Sequence, residues 1–61
     1  MRQYRVWTIN YNYNNVSVMT TWLSRSHCKR FIIGRWSKWP PFAFISTCKS
    51  EESFRKTYRV G

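Results

Sequence analysis

Aspartate is missing altogether, and Glu51 and Glu52 are the only acids in 61 residues. General acid–base or two-carboxylate catalysis needs paired carboxyl groups tuned apart from one another, which two adjacent glutamates do not provide. Glycine is nearly as scarce, with Gly34 and Gly61 alone, so no glycine-rich phosphate loop is present. His27, Cys28 and Cys48 are three metal-type ligands at most, and neighbours such as His27 and Cys28 diverge on a helix or face opposite ways on a strand. The same divergence argues against a Cys–His nucleophile built from them, leaving only Cys48 to meet His27 from another element. The expectation is a protein that is not an enzyme and carries no metal and no cofactor. The longest aliphatic–aromatic run is Phe31-Ile32-Ile33, far short of a transmembrane segment, and MRQYRVWTINYNYNN lacks the apolar stretch of about 7–15 residues of a secretory signal. The chain therefore reads as intracellular and cytoplasmic, where Cys28 and Cys48 stay reduced; a disulfide between them is the less favoured alternative.

What is abundant is positive charge and aromatic surface. Eleven Lys and Arg leave a formal charge of +9, with seven Arg to four Lys. Such an excess has no internal counterpart and draws the chain to polyanions: nucleic acid, an anionic membrane surface or an acidic protein face. Arginine suits planar contacts to phosphate and carboxylate. Four Trp, four Tyr and four Phe each bury roughly 150–250 Å² when enclosed, which suffices for one compact core in a chain near the lower size limit. A single small basic domain over 1–61 is expected.

Residues 4–13 alternate, with Arg5, Trp7, Ile9, Tyr11 and Tyr13 on one parity, and read as a strand. Asn12, Asn14 and Asn15 supply turn chemistry, and a second alternating run over 16–23 completes a hairpin. Ser24 and Ser26 are candidate N-caps for an amphipathic helix over about 26–38, with Cys28, Phe31, Ile32, Trp36 and Trp39 on one stripe. Pro40 denies Trp39 an easy α conformation and ends that helix. Residues 42–48 read as a strand and 49–53 as a polar turn. The last segment, 54–60, is read as a strand on Thr57, Tyr58 and Val60. A helix is the alternative, with Ser50 as cap, Glu51 and Glu52 in the first turn, and the pairs Glu51–Arg55 and Glu52–Lys56. The fold class is α+β: a small antiparallel sheet with one packed helix in the order ββαββ, or with a helical C-terminal segment.

Segment 25–38 carries Arg25, Lys29, Arg30, Arg35 and Lys38 with no acid among them. On a helix, Arg25 and Lys29 form a ridge able to track a phosphate backbone, and Arg55 and Arg59 extend the basic set, with Arg2 and Arg5 at the N-terminus. No signature of a sequence-specific nucleic-acid module is present. The leading expectation is a basic binding protein for DNA or RNA, or for a nucleoprotein assembly. A membrane-surface role competes for the apolar face that the core needs. The remaining reading is a protein inhibitor or adaptor that docks on an acidic surface through Trp, Tyr and Arg. A homodimer sharing its aromatic surface is compatible with so short a chain.

Compact size, basicity, aromatic density, direct entry into a strand at MRQYRVWTINY and an ending in TYRVG resemble the small early host-takeover proteins of tailed bacteriophages, including the antitoxin-like ones. The resemblance implies a protein of the host cytoplasm that binds a nuclease, toxin, polymerase or nucleic acid without doing chemistry.

Overall fold

In the computed structural model, which describes residues 2–60, three short strands and two helices follow one another as β1 (Arg5–Asn10), β2 (Asn15–Val18), α1 (Arg25–Trp36), β3 (Ala43–Ser46) and α2 (Glu51–Tyr58). Met1 and Gly61, the ends of the expected 1–61 domain, lie outside the described residues. The sheet is antiparallel with order β2-β1-β3, so β1 is its centre. Trp7 lies opposite Val18 on one side and Phe44 on the other. The expected α+β class holds, and its last segment takes the helical alternative rather than the strand.

The alternation of β1 divides the apolar residues between two faces. Val6 and Ala43 meet Cys28 and Ile32 of α1 in one buried cluster, with Tyr4, Met19, Leu23, Phe31, Trp36 and Ile45 around it. Trp7 and Ile9 meet Phe54 of α2 in the other. The Trp7 and Phe54 rings stack at 4.7 Å with planes 10° apart, and Phe44 adds an edge contact to Phe54 at 5.8 Å. Each helix therefore covers one face of the sheet, which is buried on both sides along β1 and β3 and left open along β2. Cys28 and Cys48, both free, belong to opposite faces, which separates the two thiols.

The hairpin strands are shorter than the alternation suggests. Asn14 takes a left-handed conformation, φ 55°, as an asparagine readily does, and this fixes a turn over 11–14. Tyr11 and Tyr13 consequently leave the strand and stand exposed, at 60% and 74%. After Val18 the chain breaks from the ladder. The Met19 N–H still donates to the Val6 carbonyl at 2.8 Å, but Thr20 Oγ1 accepts the Val6 N–H at 3.1 Å in place of a main-chain partner, and the two-way bridge returns at Tyr4 with Leu23. Trp22, expected on the second strand, lies under the Arg5 guanidinium at 4.2 Å.

Helix α1 starts from Ser24, whose hydroxyl accepts the His27 N–H. It stops at Trp36 because Ser37 turns left-handed, φ 66°, while donating its N–H to Ile33. Trp39 is thus off the helix and 45% exposed, a correction to its expected place on the apolar stripe. Its indole N–H donates to the Ala43 carbonyl at 2.9 Å. The Ile9 N–H bonds to the Phe42 carbonyl, so by antiparallel alternation Phe44 and Ser46 bond inward to β1 while Ala43 and Ile45 direct their main-chain groups to the free edge. Trp39 and the Pro40 carbonyl, which accepts the Ala43 N–H, blunt that edge.

At the C-terminus, Ser50 accepts the Ser53 N–H and Glu51 and Glu52 occupy the first turn. β-Branched Thr57, which argued for a strand, fits the helix by donating its hydroxyl to the Ser53 carbonyl four residues back. Val60 lies beyond the helix end, so its strand preference does not oppose it.

Candidate functional site

Both carboxylate side chains are engaged inside α2. Glu51 accepts from Arg55 Nε at 2.9 Å, and Glu52 lies 3.7 Å from Lys56. Arg55 also donates to the Asn14 carbonyl at 2.7 Å, pinning α2 to the hairpin turn. Arg2, Arg5, Arg25, Lys29, Arg30, Arg35, Lys38, Lys49 and Arg59 have no carboxylate partner among the described residues. Arg5 is half-buried against Trp22 and serves the fold. The others are exposed.

The two helices treat the dipole oppositely at their N-termini. An N-terminal turn favours acids, and α2 has two there; α1 has none and begins at Arg25. A cation at that end costs about 0.3–1 kcal/mol. An anion beside Arg25 relieves it, because the free N–H groups and the guanidinium then face a negative charge.

Arg25 also lines an open cleft of about 660 Å³ together with Arg2, Lys49, Tyr4, the end of β3 and the Ser53–Thr57–Tyr58 side of α2. Three cations from three separate segments meet there, with hydroxyl groups and no carboxylate in the lining. Lys49, read in the sequence as part of a polar turn, is the member that sequence reasoning missed. Its only signal was a cation just before the Ser50 cap. Arg2 and Lys49 also line a smaller cleft beside Trp22.

From this cleft the Arg25–Lys29 ridge runs along one flank of α1, and Arg30 stands one helical step round on the solvent side. Arg35 and Lys38 lie at the far end; the Arg35 guanidinium sits 5.6 Å from the Trp36 ring centroid. The cations of 25–38 are therefore spread along α1 and just past its end instead of forming one polar stripe, and Ile33 is 48% exposed among them. Arg55 is bound to Glu51 and Asn14 and serves the fold, while Arg59 stands exposed at the C-cap of α2, next to Tyr58 of the cleft lining.

His27 is exposed, with Nδ1 against the Ser24 hydroxyl at the helix start. Cys28 is fully buried, and burial pushes its thiol pKa up. Cys48 is half-buried in the cationic cleft. Desolvation pushes its thiol up, but hydrogen bonds with Ser46, Ser53 and Thr57 outweigh that and leave it below the ordinary value. Among the described residues, no three metal-type side chains come together, and no helix is long and apolar enough to cross a membrane. No family model matches this sequence, and no curated protein or solved structure is significantly similar to it.

Proposed function

We propose that this chain is a non-enzymatic nucleic-acid-binding protein whose phosphate-contacting surface follows α1, from the Arg2–Arg25–Lys49 cleft along Arg25, Lys29 and Arg30 to Arg35 and Lys38. The observation that carries the reading is the distribution of acids. Both glutamates are tied to α2, and the five cations of 25–38 stand exposed without a carboxylate, the first of them, Arg25, at a helix end where the dipole opposes it. Unpaired cations gain when phosphates arrive, through charge pairing and release of counterions, and Arg25 gains in addition the relief of its unfavourable place on the dipole. Random-sequence DNA and RNA titrated against the protein in low-salt buffer test the reading. The expected result is binding to both that weakens steeply with added salt. Absence of any complex at low salt, combined with recovery of one stoichiometric protein from nuclease-treated lysate, would replace it with the inhibitor reading.

A further inference from the structure

A second cleft, of about 460 Å³, opens on the α1 face of the sheet, where α1 ends and leaves Thr8, Asn10 and Ser17 uncovered. Its lining combines aromatic walls with neutral polar groups: Trp36 and Phe42 at one side, Tyr11 and Asn12 of the hairpin turn at the other. No charged side chain lines it. Trp36 is held rigid by edge contacts to Phe31 at 6.4 Å and Phe42 at 5.5 Å. The Arg35 guanidinium lies over the Trp36 ring, and Lys38, exposed, follows Trp36 by two residues in the chain. The size falls within the roughly 300–1,000 Å³ of small-molecule sites.

We infer that this cleft receives an unpaired base of single-stranded nucleic acid, packed between the Trp36, Phe42 and Tyr11 rings, face-on to one wall and edge-on to another because Trp36 and Phe42 stand 87° apart, and hydrogen-bonded by Asn10, Asn12 and Ser17, with Arg35 and Lys38 on the flanking phosphates. This rests on the nucleic-acid reading above and narrows it to single strands. A base in a duplex is already paired and stacked and does not reach such a cleft, whereas an unpaired base offers a π-face and a free hydrogen-bonding edge. A peptide carboxylate or a bare phosphate would use the cations and leave the aromatic walls idle.

Three probes of equal length separate the contributions: an oligothymidylate, the same backbone without bases, and a duplex. At matched salt the oligothymidylate binds at least tenfold tighter than the abasic strand, in line with base–aromatic stacking of about 5- to 150-fold per base. It also binds more tightly than the duplex. The double variant Tyr11→Ala, Asn12→Ala, which alters only exposed turn side chains, brings oligothymidylate down toward the abasic strand and leaves abasic affinity unchanged. Equal binding of all three probes by the unaltered protein overturns the base site while leaving the phosphate surface standing. Full retention of the preference by the double variant also overturns it, and binding of none overturns both readings. Far-ultraviolet circular dichroism of the variant establishes that any loss is not unfolding.

Discussion

At Gly34, near the end of α1, an added Cβ would meet nothing within 4 Å and the residue is exposed. Gly34→Ala therefore stabilises the protein by about 1 kcal/mol, the helix-propensity difference. In a chain of this size that raises Tm by about 4–8 °C. A thermal melt giving an unchanged or lower Tm would contradict the packing described for this turn. The thiols yield a second prediction. Cys28 has a raised pKa, so the unfolded state ionises first: the stability it contributes is complete below the unfolded thiol's pKa and is lost as pH rises through the folded value. Cys48 has the opposite sign, with stability present above the unfolded pKa and lost as pH falls through the depressed folded one. Alkylation of the folded protein at mildly alkaline pH, followed by mass spectrometry, is expected to label Cys48 first and Cys28 only on unfolding. The reverse order would contradict the placement of Cys28 in the core.

Among the elements, α2 is a structural strut and α1 the proposed binding surface, and their charges make the distinction testable. Removing the Arg55 side chain breaks its bonds to Glu51 and to the Asn14 carbonyl. Because the group is partly solvent-exposed, Arg55→Ala costs only about 1 kcal/mol. Its nucleic-acid affinity should stay within about twofold of the original, and a loss as large as that of an α1 variant would place α2 in the binding surface. Much of this was legible in the chain: the hairpin, the Ser24 cap, the end of α1 before Pro40 and the absence of acids from 25–38. The final helix was legible only as an alternative, since strand preference at Thr57, Tyr58 and Val60 competed with the Ser50 cap and two i, i+4 pairs. Local capping prevailed because Thr57 bonds its own helix and Val60 falls outside it. The edge-blocking role of Trp39, the break after Val18 and the convergence of Arg2, Arg25 and Lys49 depend on contacts between segments distant in sequence, which periodicity does not encode.

For the molecule as a whole, a charge of +9 on 61 residues resists compaction, and the proposed binding is expected to be strongly salt-dependent. With phosphate contacts from Arg2, Lys49 and the five cations of 25–38, the slope of log K against log salt for a single strand should be about −4.9. The most direct test of the α1 surface pairs affinity with stability in the double reversal Arg25→Glu, Arg30→Glu. Glutamate at the first helical position complements the dipole that Arg25 opposes, so the variant is expected to melt at or above the original temperature. Its affinity for single-stranded DNA or RNA at low salt should fall by tenfold or more, with the salt slope shallower by about 1.4. Undiminished affinity and an unchanged slope in a folded variant would contradict the assignment of α1 as the nucleic-acid surface.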